Sequence, residues 1–397
     1  MAKLGEVATF YTGTAFPKEL QGNKTGKIPF YKVGDISKNV LAGHRRLTLC
    51  DNYVEKDVVK KIKGNIVPKD TVVFAKIGEA VKLNRRAITN QDCLVDNNVM
   101  GIAPIKSVMD IDYLYYYMCF IKLDKLAEST TVPSVKKGLI ENLNINLHNL
   151  DIQKRISKVL SGIDDLIQLR KKQLNALDLL VKSRFIEMFG DPVLNTKGLP
   201  VKKLKQLTLK ISSGNTPKGG REVYVSKGIT FFRSQNVWRN YFDMSDVAYI
   251  DEATHKKMAD TSLKHGDLLI TKTGRFNTEN SSLGRTALFL GEDDSANING
   301  HVYLVRLKPG INKKFVLHIL ISNQFRDLIR KVCVGGIDKR QLNKNHIEDF
   351  PIIIPALAQQ EKYADFITQV DKSKLAIQQS LEKLEALKKS LMQEYFG

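Results

Sequence analysis

The amino-acid sequence predicts an α+β protein in which two mixed α/β domains form a pseudo-two-fold tandem repeat and are separated by two long antiparallel coiled-coil helices. Three observations predict this fold class: an internal repeat, a heptad pattern at the end of each repeat, and a positive charge that lies in the domains. The repeat is clearest at a shift of 207 residues, where residues 140–190 align with 347–397 without a gap. About 14 of these 51 pairs are identical, whereas unrelated sequences would give about 3.

The first part of each repeat predicts a domain of short strands and a few helices. Four segments of the first copy correspond in order to segments of the second: LGEVATFYTGTAFPK to LKQLTLKISSGNTPKGG, IPFYKVGDI to ITFFRSQNV, TVVFAKIG to DLLITKTG, and DYLYYYM to KFVLHIL. Runs rich in β-branched and aromatic residues predict strands at 28–33, 72–77, 99–102, 229–233, 267–271 and 302–307. Helices are expected at 112–120 and 314–322. We therefore place the two domains at residues 1–148 and 191–354.

Each repeat ends in a segment with the periodicity of a long helix. The segments 151–188 and 359–395 contain no proline, and their apolar residues recur at alternating steps of three and four, the heptad pattern of a coiled coil. The predicted seam consists of Ile156, Leu160, Ile163, Ile167, Leu174, Leu177 and Val181 in the first helix, and of Tyr363, Ile367, Val370, Ile377, Leu381, Leu384 and Leu391 in the second. Two helices of about 57 Å related by a two-fold axis run antiparallel. We therefore expect residues 149–190 and 355–397 to pair and to separate the domains.

The composition limits the classes of function. The formal net charge is +20, with an excess of +7 in residues 1–150 and +10 in residues 191–354, whereas 151–190 and 355–397 contribute +3 and 0. Basic domains predict a polyanionic partner, nucleic acid first and an anionic membrane second, and solubility alone is the remaining explanation. No apolar run has the length of a membrane helix, the cysteines and histidines lack metal-ligand spacing, and no catalytic motif is found. We expect a cytoplasmic binding protein without a cofactor of its own.

Basic and amide side chains near the predicted strands are the candidates for DNA contacts, because Lys and Arg neutralise phosphates whereas Arg, Asn and Gln also pair with base edges. Some recur in both copies: Lys32 with Arg233, Asp35 with Asn236, Lys76 with Lys272, Arg86 with Arg285, and Lys136-Lys137 with Asn343-Lys344. Others are concentrated in three loops of the second domain, RSQNVWRN (233–240), KTGRFNTEN (272–280) and DKRQLNK (338–344). The predicted DNA-binding residues are Lys32, Lys76, Arg86, Lys136, Lys137, Lys218, Arg221, Arg233, Gln235, Asn236, Arg239, Lys272, Arg275, Asn277, Arg285, Lys339, Arg340, Gln341 and Lys344.

The two helical regions carry a resemblance to a known family. They read NLDIQKRISKVLSGIDDLIQLRKKQLNALDLLVKSRFIEMFGDP (149–192) and PALAQQEKYADFITQVDKSKLAIQQSLEKLEALKKSLMQEYFG (355–397), each after a basic domain. In this pattern the sequence resembles, over its whole length, the DNA specificity subunits of type I restriction-modification systems. Such subunits usually have a proline and a glutamine at the start of each helix. The second copy has Pro355 and Gln360, whereas the first has His148 in place of the proline.

The resemblance implies a non-catalytic recognition subunit of a methyltransferase and endonuclease complex. Each domain would be a target-recognition domain that reads one half of a bipartite asymmetric target in double-stranded DNA. The helix pair would set the spacer between the two halves and dock two methyltransferase subunits, and ATP-driven restriction subunits that translocate DNA would complete the complex. The cofactors S-adenosylmethionine, ATP and Mg²⁺ would belong to these partners, with none on this chain.

Two other functions are compatible with the residues alone. One is a free-standing regulatory or architectural DNA-binding protein, and the other is a membrane-surface or scaffold protein that binds lipids through its basic ends. Co-purification with a methyltransferase that contains an N-P-P-Y motif would exclude the first. A salt titration that compares binding to DNA with binding to anionic vesicles would decide the second.

Overall fold

Residues 1–127 and 132–397 are described by the structure, a computed structural model. They form two compact units, one of Met1–Leu174 with Ala376–Gly397 and one of Asn175–Leu375. The boundary between the units lies inside both long helices, whereas the sequence analysis placed domain boundaries at the helix ends. Each unit therefore contains a mixed α/β domain and a part of each long helix.

The first unit contains short strands and helices that precede the first long helix. The strands are β1 (Ala2–Lys3), β2 (Ala8–Thr12), β3 (Ile28–Tyr31), β4 (Tyr53–Val54), β5 (Val72–Ala75), β6 (Arg86–Ile88), β7 (Leu94–Val95), β8 (Val99–Pro104) and β9 (Asn144–Ile145). The helices are α1 (Leu4–Val7), α2 (Val33–Leu41), α3 (Lys56–Lys61), α4 (Ile111–Phe120), α5 (Lys137–Glu141) and the beginning of α6 (Leu150–Phe189). One sheet has the order β2-β8-β5-β6 and another the order β4-β3-β7, in which β3 and β7 are parallel.

Strand β5 lies between two layers of the core in this unit. Because side chains alternate along a strand, Val72 and Phe74 pack in the cluster that contains the tyrosines of α4, whereas Val73 faces a second cluster with Tyr31. Three of these tyrosines, including Tyr113, are at most 1% exposed. The tyrosine-rich segment of α4 is therefore a packing element.

The second unit repeats this arrangement with additions. Its strands are β10 (Val201–Lys203), β11 (Thr208–Ser213), β12 (Tyr224–Val225), β13 (Ile229–Phe232), β14 (Ala248–Ile250), β15 (Leu268–Thr271), β16 (Thr273–Arg275), β17 (Thr286–Leu288), β18 (Ala296–Ile298), β19 (Val302–Leu307), β20 (Val334–Gly335), β21 (Lys339–Gln341) and β22 (Pro351–Ile353). The helices are α7 (Glu252–Lys257), α8 (Lys313–Ile321), α9 (Asn323–Val332), α10 (Lys344–Glu348) and α11 (Leu357–Phe396), which ends in the first unit.

The sheet topology confirms the internal repeat. The order β11-β19-β15-β17 corresponds to β2-β8-β5-β6, and the order β12-β14-β13-β18 contains a parallel pair, β13 with β18, that corresponds to β3 with β7. Equivalent glycines lie at the same close approach. A Cβ atom on Gly13 would lie 1.8 Å from the carbonyl oxygen of Asp96, and one on Gly214 would lie 2.2 Å from that of Asn299. Both copies therefore need a glycine at this close approach between two backbone segments.

A buried glutamine fixes the start of each long helix. In the first unit, Gln153 accepts a hydrogen bond from the N–H of Asp110 at 2.9 Å and donates to the carbonyl oxygens of Val108 and His148. Asp110 is the N-cap of α4. His148 stands where the second copy has Pro355. Because the glutamine bonds only to the backbone carbonyl oxygen at this position, histidine and proline both allow this hydrogen bond.

The second unit uses the same device. Gln360 accepts from the N–H of Asn312, the N-cap of α8, at 3.2 Å and donates to the carbonyl oxygen of Pro355 at 2.9 Å. Gln153 is 0% exposed and Gln360 2%. The helix start is thus tied to a domain helix in both units.

The two long helices run antiparallel in the first unit. Lys388 Nζ donates to Asp164 Oδ1 at 2.5 Å, and Arg170 Nε donates to Ser380 Oγ at 3.2 Å. Rising residue numbers in α6 therefore meet falling numbers in α11. This direction was predicted from the tandem repeat. Arg170 and Lys388 are polar residues within the two apolar seams, and each bonds to a side chain of the opposite helix.

The same direction holds in the second unit. Lys374 forms an ion pair with Asp178, and the ring centroids of Phe185 and Tyr363 lie 5.4 Å apart. Gly190 ends α6 with a positive φ of 73°, a backbone conformation that glycine adopts without strain. The predicted helix bounds differ from the observed ones by one or two residues.

The heptad seam shares its contacts with the domain cores. Ile163 and Ile167 pack with Leu381, and Leu174, Leu384 and Leu391 lie at the edge of this helix-to-helix cluster. Ile156 and Leu160 belong to the core of the first domain, whereas Leu177, Val181, Tyr363, Ile367 and Val370 belong to that of the second. Ile377 is half-buried. In the middle of the seam the apolar residues pack between the two helices. At its ends they also pack against the domain cores and so attach the helices to the domains.

Candidate nucleic-acid interface

Two of the three basic loops of the second domain lie on neighbouring strands. Strand β16 pairs with β21, and β20 extends this small sheet. In the register, Gly274 lies opposite Arg340 and Arg275 opposite Lys339. The guanidinium carbon of Arg340 lies 4.2 Å from the ring centroid of Phe276. The structure thus joins the loops 272–280 and 338–344 in one surface.

The third basic loop, 233–240, adjoins the same surface through Arg285. The guanidinium carbon of Arg285 lies 3.6 Å from the ring centroid of Trp238, a cation–π contact. The same guanidinium donates to the carbonyl oxygens of Asn280 and Ser281 at the end of loop 272–280. Three clusters that are distant in sequence therefore adjoin within the second unit.

Arg233 and Gln235 share a carboxylate partner. Arg233 Nη2 lies 3.2 Å from Asp246 Oδ1, and the Arg233 side chain is 12% exposed. Gln235 Nε2 donates to the other oxygen of Asp246, although Gln235 itself is exposed. The guanidinium of Arg233 is thus held by the protein and orders the loop, whereas Gln235 keeps a surface that DNA can reach.

Three predicted DNA contacts are buried and form hydrogen bonds within the protein. Arg86 is 2% exposed, and its Nη2 donates to Asn84 Oδ1 at 2.8 Å and to the carbonyl oxygen of Ile121 at 3.0 Å. Arg285 is 7% exposed and Asn236 1%, and both bond to loop backbone. These side chains have almost no exposed surface, and their role as DNA contacts stays a prediction. They were selected because they recur between the copies, and here recurrence marks a shared framework.

Three other recurring cations, Lys32, Lys76 and Lys272, are half-buried and remain predicted contacts. Lys32 Nζ donates to Gln21 Oε1 at 2.8 Å. Lys272 Nζ lies 5.6 Å from the ring centroid of Tyr303, and Lys76 is half-buried at the equivalent place. Each has a partner or packing surface for its stem and an exposed portion for a phosphate.

The most accessible predicted contacts lie in loops, at the starts of two short helices and in the small sheet of β16 and β21. The exposed ones are Lys136, Lys137, Lys218, Arg221, Gln235, Arg275, Asn277, Lys339, Gln341 and Lys344. Lys137 pairs with Glu141 at 3.2 Å and Lys344 with Glu348 at 3.4 Å, one helical turn away. Exposed pairs of this kind contribute less than about 1 kcal/mol, so both lysines can exchange their partner for a phosphate.

The sequence analysis missed two arginines of α9. Arg326 and Arg330 are half-buried and lie four residues apart, while Phe325 and Ile329 beside them are buried in the core. The signal was the segment FRDLIR, in which an apolar residue and an arginine both repeat after four positions. This spacing places both arginines on one face of a helix.

Comparison with known proteins assigns the family. A family model described as "Type I restriction modification DNA specificity domain" matches residues 1–179 and 197–388. The chain belongs to this family. Two curated relatives of this specificity family come from Methanocaldococcus jannaschii. The type I restriction enzyme MjaIX specificity subunit is 24% identical over 98% of this chain and 90% of its own length, and the MjaVIII specificity subunit is 24% identical over 75% and 72%.

Solved structures of the specificity family share the fold. The type I restriction-modification S subunit from M. genitalium matches with a TM-score of 0.59 and 14% identity, and covers 100% of this chain and 95% of its own. A chain from a structure described as "Structural basis underlying complex assembly and conformational transition of the type I R-M system" also has a TM-score of 0.59, with 16% identity. These matches confirm the predicted fold class.

Membership in the specificity family confirms the resemblance found in the sequence. The chain is a DNA-recognition subunit of the type I restriction-modification family and has no catalytic activity of its own. In residues 1–127 and 132–397, no group of three or more His, Cys, Asp or Glu side chains is placed to hold a metal ion. None of the helices described there is both long and apolar enough to cross a membrane.

Proposed function

We propose that each unit of this specificity subunit reads one half of a bipartite, asymmetric target in double-stranded DNA. The observation that carries this proposal is the single basic and amide-rich surface that three loops form in the second unit. These loops differ from their counterparts in the first unit, where KVGD (32–35) stands in place of RSQN (233–236). Within this stretch Gln235 is exposed and can present hydrogen-bonding groups to base edges, whereas its counterpart Gly34 has no side chain.

The proposal includes the partners and the role of the helices. Two methyltransferase subunits, which bind S-adenosylmethionine, and restriction subunits, which use ATP and Mg²⁺ to translocate and cut DNA, would assemble with this chain in the cytoplasm. The helix pair would set the spacer between the half-sites and dock the methyltransferases. In support, α6 and α11 each begin in one unit and end in the other, so both helices are shared by the two recognition domains.

Exchange of one domain tests the proposal. Residues 191–354 are replaced by the corresponding residues of a relative, the chain is expressed with a methyltransferase partner, and methylated adenines are mapped across a genome. We expect one half of the methylated motif to change, while the other half and the spacer length stay the same. The reciprocal exchange of residues 1–148 is the matched control and should change the opposite half. A change of both halves in either exchange contradicts the proposal.

A further inference from the structure

Four arginines of the second unit lie close together beside the loop 272–280. Arg326 Nη2 donates to the carbonyl oxygen of Glu279 at 2.9 Å, and Arg285 donates to the next two carbonyl oxygens along the chain. Two arginines therefore bind the backbone of one loop segment. Arg330 lies one helical turn after Arg326 on the same face of α9, and Arg239 completes the cluster.

Arg239 lines a small cavity next to an aromatic pair. The cavity has a volume of about 90 Å³, and its walls include Trp238, Tyr241, Arg285 and residues 279–281. The rings of Trp238 and Tyr241 are stacked, with centroids 5.8 Å apart. Within the described part of the chain, the Arg239 guanidinium has no hydrogen-bond acceptor and no ion-pair partner.

Glu279 lines the same cavity, and Asp178 and Asp371 line a larger cavity with Arg239, but among the described residues none of these three carboxylates lies within ion-pair distance of the four arginines. Burial, and then the charges of Arg326, Arg285 and Arg330, lower the pKa of Arg239. Among the described residues, the carboxylate paired with the cluster is that of Asp327, which lies 3.8 Å from Arg330 and is 68% exposed. A pair this exposed stabilises weakly. Holding like charges together costs free energy, and a bound anion would remove that cost.

We propose that Arg239, Arg326 and Arg330 form a phosphate-binding site that holds a phosphodiester group of the DNA backbone. The inference rests on the proposed function, since DNA is the polyanion that the subunit recognises. Guanidinium groups bind phosphate oxygens through paired, charge-assisted hydrogen bonds, and this site adjoins the surface formed by the three basic loops. A phosphate contact carries no base information, so it fixes the position of the second unit on the duplex. Arg285, stacked on Trp238, is a positioning residue.

The test is DNA binding by the 397-residue chain carrying Arg239→Ala or Arg330→Ala. Lys331→Ala is the matched control, because Lys331 follows Arg330 in the same helix and projects about 100° away from it. We expect each arginine variant to bind a target duplex and an unrelated duplex about five-fold more weakly at about 0.15 M salt. The slope of log affinity against log salt should fall by about one. The control should change both quantities less, and the methylated motif should stay the same.

The outcomes separate this site from the proposed function. If the unaltered chain binds DNA and the arginine variants bind equally well, the site is wrong and the proposed function stands. If the unaltered chain binds no DNA, the proposed function fails. Loss of a co-purifying methyltransferase with normal DNA affinity would make the cluster a protein contact, and loss of inorganic phosphate binding with normal DNA affinity would make it a site for free phosphate. Either result overturns the inference.

A second variant guards against misfolding. Arg239→Lys keeps the charge and loses only the paired geometry, so it should retain more DNA affinity than Arg239→Ala. Thermal unfolding of each variant shows whether the fold is intact. Equal losses in both variants, with intact folding, would contradict a charge-based contact.

Discussion

The contacts at the start of α6 in the first unit and of α11 in the second unit are the same. Further along each helix, the contact between the helix and its domain, here called the junction, differs between the units. In both units a buried glutamine joins the helix start to the cap of a domain helix. About three turns later, Asp164 of the first unit accepts from the Tyr116 hydroxyl at 3.0 Å and from Lys388. Arg45 donates in turn to the Tyr116 hydroxyl at 2.9 Å. The first junction is therefore closed by a network of charged and polar groups.

The second junction has a cavity at the equivalent place. Its volume is about 530 Å³, and it is lined by His318 and Asp371, the counterparts of Tyr116 and Asp164, and by Tyr363. Within the described residues, Asp371 has no hydrogen-bond or ion-pair partner, and burial raises its pKa. The two copies therefore retain the buried glutamine that attaches the helix to the domain. They have diverged in the side chains at the junction, where His318 and Asp371 replace Tyr116 and Asp164.

The largest expected effect tests the shared part of this comparison. Gln153→Ala leaves the N–H of Asp110 and two carbonyl oxygens without partners at a buried site. Because an unsatisfied buried group costs about 1 to 3 kcal/mol, we expect the free energy of unfolding to fall by about 3 kcal/mol. Denaturant unfolding measures it, with Gln168→Ala, an exposed glutamine of the same helix, as control. Gln360→Ala should cost somewhat less, since fewer bonds are lost, and equal stability of all three variants would contradict the shared role.

A second prediction separates framework arginines from DNA-contacting cations. Arg285→Ala removes two hydrogen bonds to loop backbone and the stacking on Trp238, so we expect a loss of about 2 kcal/mol in the free energy of unfolding. Lys339→Ala removes an exposed charge and should leave stability within about 0.5 kcal/mol. DNA affinity measured at several salt concentrations should show the opposite ranking. Lys339→Ala should lower the slope of log affinity against log salt more than Arg285→Ala does. If the Arg285→Ala variant were as stable as the unaltered chain, a structural role for Arg285 would be contradicted and a DNA contact favoured.

A third prediction concerns acid and follows from the difference between the two units at this position. Burial, and then the charges of Lys374 and Lys314, lower the pKa of His318 from 6.5 to about 4 in the folded state. As the pH falls, this histidine takes up a proton in the unfolded chain before it does so in the folded one. Its contribution to the free energy of unfolding is therefore fully present above about pH 6.5 and is lost as the pH falls toward 4. Between pH 7 and 5 this amounts to about 2 kcal/mol.

Replacing the histidine by its counterpart checks the assignment. His318→Tyr introduces the residue type of the first unit, whose pKa is raised by burial and which stays neutral in acid. We expect unfolding measured between pH 7 and 5 to lose this part of its pH dependence. An unchanged profile in His318→Tyr would locate the acid sensitivity elsewhere in the chain.

Much of the fold could be predicted from the sequence, because repeat and heptad patterns are long-range signals. The bounds of α6 and α11 were predicted within one or two residues, and the strands β5, β15 and β19 were found by their β-branched runs. The small sheet of β16, β21 and β20 was missed, since its strands have two or three residues and no apolar alternation. Its pairing depends on tertiary contacts such as Arg340 on Phe276.

The candidate site was less predictable, because a sequence shows residue types and not the direction of side chains. Arg86 and Arg285 looked like DNA contacts since they recur, yet both point into the protein and bond to carbonyl oxygens. Conversely, Arg326 and Arg330 have no counterpart pattern in the first copy and were passed over. Recurrence between the copies therefore does not by itself distinguish a buried arginine such as Arg86 from an exposed lysine such as Lys137.

The division of the chain has a consequence for its synthesis. The core of the first unit includes Met392 and Phe396, and the ring of Phe396 lies 5.1 Å from that of Tyr113. The ribosome makes these residues after both domains, whereas the second unit is continuous from Asn175 to Leu375. A nascent chain can therefore complete its second domain while its first still has an open core. A product that stops near residue 375 would expose apolar surface in the first domain, and exposed apolar surface promotes aggregation.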